Sequence, residues 1–201
     1  MHKEIVDCLL CGAPFQETFG GQEFFIRQLP QTICARCEHK FEPIVEQREE
    51  GVISLFTYNA AMKDYIQRYK FMHDVVLAKV FNRTIAKALK GERAVINPIP
   101  MHEENLKKRT FAQVDELLKA AEIPFMQVLK KNTTATQVGK TREQRLQAEQ
   151  LFDVENAEVV RGKVFLLFDD IYTTGTTMRH AKRALLECGA ANVSLVTLIH
   201  S

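Results

Sequence analysis

The chain has 201 residues, of which 46% are hydrophobic and 26% charged, an ordinary composition for one globular domain with a small appendage. A net charge of +2 excludes a uniformly polycationic protein, so any binding of nucleic acid must come from local patches. No apolar run approaches the roughly 20 residues of a membrane span, and the N-terminus "MHKEIVDCLLC" lacks the apolar core of a signal peptide. We therefore expect a cytoplasmic protein without membrane insertion.

Residues 1–45 combine loop-forming stretches such as "CGAPF" and "FGGQE" with four paired cysteines: Cys8 with Cys11, and Cys34 with Cys37. Two C-x-x-C turns at this spacing predict a zinc ribbon with four cysteine ligands, because each turn directs two thiolates at one point. Such a site has no open position, so the Zn²⁺ would be structural and would supply folding energy to a segment too small to fold alone. A redox C-x-x-C is the alternative, which two matched pairs disfavour.

Residues 46–201 alternate between strand and helix patterns. A strand over "GVISLFTYN" precedes helices over "AMKDYIQRYKF" and "VVLAKVFNRTIAKALKG". A strand over "RAVINPIP", a helix over "NLKKRTFAQVDELLKAAE" and a strand over "PFMQVLKK" follow. After the polar loop "NTTATQVGKT" come a weak helix over "REQRLQAEQ", a strand over "KVFLLFDD", a helix over "TTMRHAKRALLECGA" and a strand over "NVSLVTLIH". This order predicts an α/β domain with a mostly parallel sheet covered on both faces.

Three polar loops follow predicted strands: "PIPMHEENLKKR", "KKNTTATQVGKTR" and "DDIYTTGTT". In open α/β sheets, ligands bind beyond the carboxyl ends of the strands. We therefore expect the three loops to converge on one crevice.

The last of these loops has the features of a phosphate cradle between a strand and a helix. The N–H groups of a helix N-terminus bind anions, a glycine lets the backbone approach closely, and threonines add donors without charge. The residues concerned are Thr173, Thr174, Gly175, Thr176 and Thr177.

Two acids, Asp169 and Asp170, come directly before this cradle. Carboxylates accept hydrogen bonds from the vicinal hydroxyls of a ribose, and they also suit Mg²⁺. Phosphate and ribose side by side indicate a 5-phosphoribosyl ligand. The alternative is a helix N-cap preceded by two incidental surface acids.

The stretch "FLLFDDIYTTGTT" resembles the loop of type I phosphoribosyltransferases that binds 5-phosphoribosyl 1-pyrophosphate (PRPP). With the paired cysteines, "YIQRYKFMHD", "NPIPMHEENLKKRTFAQ" and "TATQVGKTREQR", in that order, nearly the whole chain resembles the ComF family. This family contains proteins for DNA uptake in naturally transformable bacteria.

The resemblance implies a zinc ribbon over 1–45 and a type I phosphoribosyltransferase fold over 46–201. Asp169 and Asp170 would hold the ribose hydroxyls of PRPP, with Mg²⁺ accompanying the ligand, and residues 173–177 would wrap the 5-phosphate. Cations near the pyrophosphate, or near the backbone of single-stranded DNA, would be Lys107, Lys108, Arg109, Lys140, Arg142 and Arg145.

The chain departs from the family at Arg109-Thr110-Phe111-Ala112-Gln113, where Arg-Gly-Phe-Asn-Gln is usual, which puts the start of that helix in question. Glu103 and Glu104 add negative charge to the pyrophosphate loop. Thr173 stands where purine phosphoribosyltransferases carry an acidic general base, so the sequence does not support purine chemistry.

Two functions remain open from the sequence. The first is a PRPP-binding or phosphate-binding protein of natural competence that handles imported single-stranded DNA with an ATP-driven translocase. The second is an active phosphoribosyltransferase acting on an unidentified acceptor. The phosphate cradle is common to both functions and therefore does not distinguish them.

Overall fold

Four parallel strands form the central sheet of the protein, a computed structural model that describes residues 5–15, 29–45, 51–132 and 151–201. The strands are β1 (Val52–Thr57), β2 (Val95–Pro98), β5 (Val164–Tyr172) and β6 (Asn192–His200). Their order in the sheet is β1-β6-β5-β2. A separate antiparallel pair consists of β3 (Leu129–Lys131) and β4 (Phe152–Val154). The parallel α/β fold predicted from the sequence is therefore confirmed.

Helices precede and connect these strands, and those at Ala35–Glu38 and Ala157–Val160 were not predicted from the sequence. In chain order, the helices are α1 (Ala35–Glu38), α2 (Ala60–Ile66), α3 (Asn82–Leu89), α4 (Glu103–Arg109), α5 (Gln113–Ala120), α6 (Ala157–Val160) and α7 (Thr176–Glu187). A π-helical turn, Gln67–Phe71, extends α2, and a 3-10 helix, Val75–Phe81, leads into α3. None of the helices in the described ranges has the length and apolar character needed to cross a membrane.

The sheet is covered on both faces, as its apolar strands predict. Along β5, Leu166 and Phe168 point into one hydrophobic core, and Phe165 and Leu167 point into the other. The helix α7 covers the second core through residues such as Leu185. This burial fixes the register of β5, and with it the position of the acids at its end.

Several predicted elements differ from the structure. The helix expected over "VVLAKVFNRTIAKALKG" begins as the 3-10 helix Val75–Phe81. The helix expected over "NLKKRTFAQVDELLKAAE" is broken, because Thr110 adopts a left-handed conformation (φ 63°) that ends α4 before α5 begins. The strand expected over "PFMQVLKK" is confined to β3. The predicted strand "KVFLLFDD" continues to Tyr172, so both acids lie inside β5. The weak helix over "REQRLQAEQ" lies outside the described residues.

The cysteine-bearing segment packs on the main domain. Cys8, Ile33, Cys37 and Phe41 belong to the larger hydrophobic core. Arg68 donates hydrogen bonds to the carbonyl oxygens of Leu10 (3.1 Å) and Leu9 (3.2 Å). The ribbon and the helices that follow β1 therefore share apolar and polar contacts, and the domain boundary at residue 45 stays a prediction.

Candidate functional site

The two acids sit at the carboxyl end of β5 in different surroundings. Asp170 is buried and forms an ion pair with Lys70, both side chains being about 90% buried (12% and 10% exposed). Asp169 remains partly exposed, and its Oδ1 accepts a hydrogen bond from the backbone N–H of Asp170 (2.9 Å).

The electrostatics of the acid pair favour a proton at Asp169. Burial, followed by the negative charge of Asp170, raises the pKa of Asp169 from 3.8 to about 7. The N–H of Asp170 and the charges of Lys70 and Lys131 oppose this shift in part. Asp169 therefore changes its charge near neutral pH.

The threonine loop leads directly from β5 into α7. Gly175 is the N-cap residue with φ 68°, and a Cβ there would lie 2.2 Å from the Tyr172 hydroxyl oxygen and 2.8 Å from a guanidinium nitrogen of Arg179. Only glycine fits this position. Thr173, Thr174 and Thr176 are exposed at the surface of the loop, and Thr177 is half-buried. Backbone and hydroxyl donors thus meet at the start of a twelve-residue helix, the arrangement expected of an anion site.

Arg179, an exposed residue near the start of α7, contributes to this loop. A guanidinium N–H donates to the Thr176 hydroxyl (3.2 Å), and the Thr174 and Thr176 hydroxyl oxygens lie 3.0 Å apart. The arginine reaches back over the first turn of α7. It adds a positive charge beside the cradle.

The loop after β2 runs beside the end of β5, because the N–H of Ile99 donates to the carbonyl oxygen of Phe168 (2.9 Å). It leads to α4, where Lys107 and Lys108 are exposed. Arg109 is held instead: it donates to the side-chain oxygen of Gln113 (2.6 Å) and lies 5.5 Å from the ring centre of Phe71. Of the three predicted cations, Lys107 and Lys108 are therefore exposed, whereas Arg109 is held in place by its contacts.

The antiparallel pair β3–β4 carries two further cations, Lys130 and Lys131. Lys130 forms an ion pair with Glu103 (3.6 Å), which offsets the charge of one of the two acids that follow β2. Lys131 lies over the ring of Phe152 (5.7 Å) and acts electrostatically on Asp169. The predicted cations Lys140, Arg142 and Arg145 lie outside the described residues.

The four paired cysteines converge on one point. The sulfur atoms of Cys8, Cys11, Cys34 and Cys37 all lie within 4.8 Å of one another, and those of Cys11 and Cys34 are 3.7 Å apart. A tetrahedral site with Zn–S bonds of about 2.3 Å has edges of about 3.8 Å, so the spacing suits a metal. The Ala13 N–H lowers the pKa of Cys11 to about 6, whereas burial raises that of Cys37 to about 12.

Sequence reasoning missed Lys70 and left Gln113 without a role. Both belong to the stretches "YIQRYKFMHD" and "NPIPMHEENLKKRTFAQ", whose helical periodicity indicates packing alone. In the structure, the carbonyl oxygen of Gln113 accepts from the Tyr69 hydroxyl (2.7 Å), and its buried side-chain nitrogen has no hydrogen-bond partner. A lysine on the apolar face of a predicted helix was the available indication of a role for Lys70, because lysines are rarely buried unless they are paired.

Comparison with known proteins assigns a phosphoribosyl transferase domain to the C-terminal half of the chain. Residues 106–201 match the family model described as the phosphoribosyl transferase domain. Solved structures that align with the chain include a glutamine phosphoribosylpyrophosphate amidotransferase from B. subtilis complexed with ADP and GMP. That alignment has 20% identity, a TM-score of 0.46, and coverage of 66% of this chain and 30% of that one.

Two relatives align over nearly their whole length. The chain is 32% identical over 219 residues to competence protein ComFC of Streptococcus pneumoniae (strain ATCC BAA-255 / R6), covering 96% of this chain and 99% of that protein. It is 30% identical over 235 residues to competence protein ComFC of Bacillus subtilis (strain 168), covering 100% of this chain and 97% of that protein.

Proposed function

The chain belongs to the ComFC family of competence proteins, and we propose that its phosphoribosyltransferase-like domain binds PRPP or a related phosphoribosyl ligand. In this proposal, Asp169 and Asp170 accept hydrogen bonds from the ribose hydroxyls. Residues 173–177 hold the 5-phosphate, and Lys107, Lys108 and Arg109 face the pyrophosphate. Lys140, Arg142 and Arg145 would add positive charge for the pyrophosphate.

The observation that carries this proposal is the junction of β5 with α7. It joins two carboxylates, a loop of four threonines around a left-handed glycine, and the N-terminus of a helix. A phosphate and a vicinal diol at the spacing of ribose 5-phosphate are the ligand groups that such a junction fits.

Calorimetric titration of PRPP with Mg²⁺ into the zinc-loaded protein tests the proposal, with an Asp169→Asn/Asp170→Asn variant beside it. Hydrogen bonds to charged groups are worth about 1.5–3 kcal/mol each, so we expect the variant to bind at least about 100-fold more weakly. Circular dichroism and metal content show whether the variant is folded. Absence of saturable binding by the folded wild type would overturn the proposal.

A site of four cysteines with this geometry also supports Zn²⁺ as the structural metal, because thiolates prefer soft or borderline ions. Mg²⁺ would arrive with the pyrophosphate of the ligand. Metal analysis of the purified protein tests the first assignment: one zinc per chain is expected, and a Cys8→Ser/Cys37→Ser variant should lose it.

Handling of single-stranded DNA, with an ATP-driven translocase of competence, is the wider function that we propose for the protein. Arg109 on α4 lies 5.5 Å from the ring centre of Phe71 (63% exposed), which precedes Met72 (70% exposed), and Lys107 and Lys108 are exposed on the same helix. Cations and aromatic faces together are typical of sites for single strands. Fluorescence anisotropy of a labelled oligothymidine at rising salt tests this: binding should weaken as salt rises and should be reduced in a Lys107→Ala/Lys108→Ala variant.

The match of residues 106–201 to the phosphoribosyl transferase domain favours catalytic transfer as a second candidate function. Pyrophosphate release from PRPP in the presence of a panel of nucleobases, amines and single-stranded DNA tests it. Release that depends on one acceptor and on Asp169 would support transfer, and a protein that binds PRPP without releasing pyrophosphate would be a binding module.

A further inference from the structure

Lys70 places a fixed positive charge at the acid pair. Its ammonium contacts the Asp170 carboxylate, and both side chains are about 90% buried. A buried lysine is costly unless it is paired with an opposite charge. This contact therefore accounts for the presence of a lysine on the buried face of the helix, and it uses one oxygen of Asp170.

The surroundings of Lys70 hold it in one place. It lies on the π-helical turn Gln67–Phe71, a conformation that is often found at functional sites. The rings of Tyr65 and Tyr69 on the same helical segment stack on each other (5.6 Å between centres), and the Tyr69 hydroxyl donates to the carbonyl oxygen of Gln113 (2.7 Å). The lysine thus approaches Asp170 from a helix that is tied to the start of α5.

Four ionisable groups of the described chain determine the charge at this point. They are the carboxylates of Asp169 and Asp170 and the ammonium groups of Lys70 and Lys131. Tyr65 and Tyr69 face the same region as neutral phenols, since burial raises the pKa of both. Two acids therefore meet two cations, and the pair does not carry the uncompensated double negative charge that attracts a divalent ion.

We propose that the ammonium of Lys70 takes the place of a divalent cation at the acid pair, so that the protein binds the ribose 5-phosphate half of its ligand without metal. This inference rests on the proposed phosphoribosyl function. Mg²⁺ is then needed only for the pyrophosphate half, whose oxygens are its preferred partners. Lys70 acts through Asp170 and is a positioning residue.

Charge and space both support this assignment. A hydrated Mg²⁺ at Asp170 would have to displace or approach an ammonium that already contacts the carboxylate, and like charges repel at this distance. Backbone and hydroxyl donors of the threonine loop, together with Arg179, would bind the 5-phosphate. No step in holding ribose 5-phosphate therefore requires a metal ion.

Titration calorimetry with ribose 5-phosphate tests the inference on the full chain. The buffer is depleted of Mg²⁺ without a chelator, so that the cysteine cluster keeps its metal, and is compared with the same buffer containing millimolar Mg²⁺. We expect the wild-type dissociation constant to differ by less than about twofold between the two buffers. A wild type that binds ribose 5-phosphate only with Mg²⁺ overturns the inference, and so does one that binds PRPP but never ribose 5-phosphate.

The variant Lys70→Ala removes the cation and leaves room for a hydrated ion. Its affinity for ribose 5-phosphate should fall at least about tenfold without Mg²⁺ and should be largely restored by Mg²⁺, a response that simple structural damage would not produce. Lys63→Ala, at an exposed lysine on α2, is the matched control and should behave as wild type in both buffers. Unchanged affinity of Lys70→Ala in the Mg²⁺-free buffer contradicts the inference.

If Lys70→Ala does not fold, Lys70→Met keeps the side-chain volume without the charge. It should bind ribose 5-phosphate at least about tenfold more weakly without Mg²⁺, and equal binding would overturn the inference. If the folded wild type binds neither PRPP nor ribose 5-phosphate in any buffer, the proposed function itself fails. The two failures are therefore distinguishable.

Discussion

The two halves of the proposed ligand site differ in how deeply their residues are buried. The phosphoribosyl half is built on β5 and α7, where Asp170 and Gly175 are buried and Phe168 is fully enclosed beside them. The pyrophosphate half is built on α4, a described helix of seven residues, none of which is buried. The first half is anchored in the core although three of its threonines are exposed, and the second lies wholly on the surface.

This difference assigns the two halves different physical roles. Buried groups held by packing keep their geometry, so the phosphoribosyl half determines which ligand fits. Long, exposed lysines act through charge that salt screens over about 8–10 Å, so the pyrophosphate half chiefly adds attraction. Mutations should therefore abolish binding in the first half and weaken it in a salt-dependent way in the second.

The largest effect is predicted for Gly175→Ala in the buried half. The added methyl group would collide with Tyr172 and Arg179, and the positive φ costs an alanine about 1–2 kcal/mol more. We expect PRPP to bind at least about 100-fold more weakly, measured by calorimetry, which corresponds to about 2.7 kcal/mol.

Gly162→Ala is the matched control, because Gly162 also has a positive φ (71°) but a Cβ there would meet nothing within 4 Å. It should lower the free energy of unfolding by about 1 kcal/mol and leave PRPP affinity unchanged. Equal loss of affinity in both variants would mean that strain alone, and not the shape of the cradle, determines binding.

A second prediction concerns the pH dependence of stability, to which Asp169 should contribute near neutral pH. The pKa of Asp169 is raised from 3.8 to about 7 in the folded protein, so folding retains a proton that the unfolded chain releases. Its contribution to stability is therefore fully present below about pH 4 and is lost as the pH rises through about 7.

Urea unfolding at about pH 5, 6, 7 and 8 measures this effect, with Asp169→Asn as the comparison. The wild type should lose stability relative to the variant as the pH rises across this range. The contributions of histidines common to both proteins cancel in the difference. Parallel curves for the two proteins would show that Asp169 does not titrate in this range.

The buried half is also the half that the sequence predicts best. The apolar run of β5, the acids, the threonine loop and α7 are contiguous, so local pattern determines their order and their place at a strand end. The cysteine cluster is predictable for a related reason, since two short turns determine where four sulfur atoms point.

Contacts between distant segments could not be predicted in this way. Lys70 meets Asp170 across 100 positions of sequence, and a helical pattern shows only that the residue lies on a buried face. The break at Thr110 was also missed, because the apolar spacing of "NLKKRTFAQVDELLKAAE" continues through it and threonine gives no indication of a left-handed residue.

A smaller effect is predicted for the exposed half. Removing two charges by Lys107→Ala/Lys108→Ala should weaken PRPP binding about fivefold at low salt and less than about twofold at about 0.5 M salt, where screening is strong. Calorimetry at both salt concentrations checks this. Lys87→Ala/Lys90→Ala removes two exposed lysines at the end of α3 and should have no effect at either. A loss of PRPP affinity that persisted at high salt would show that the α4 lysines act through fixed contacts, like the phosphoribosyl half of the site.

The smallest effect is predicted where the two halves join, at Thr110 between α4 and α5. Its left-handed conformation (φ 63°) strains a threonine and suits a glycine. Thr110→Gly should therefore raise the free energy of unfolding by about 0.5–1 kcal/mol, since relief of strain exceeds the extra entropy of the unfolded chain. Urea unfolding measures it, and Thr84→Gly in α3, a right-handed helix, should be destabilising by about 0.5 kcal/mol. Because α4 carries Lys107 and Lys108, a change in PRPP affinity in Thr110→Gly would show that the strained turn also sets the direction of the exposed half.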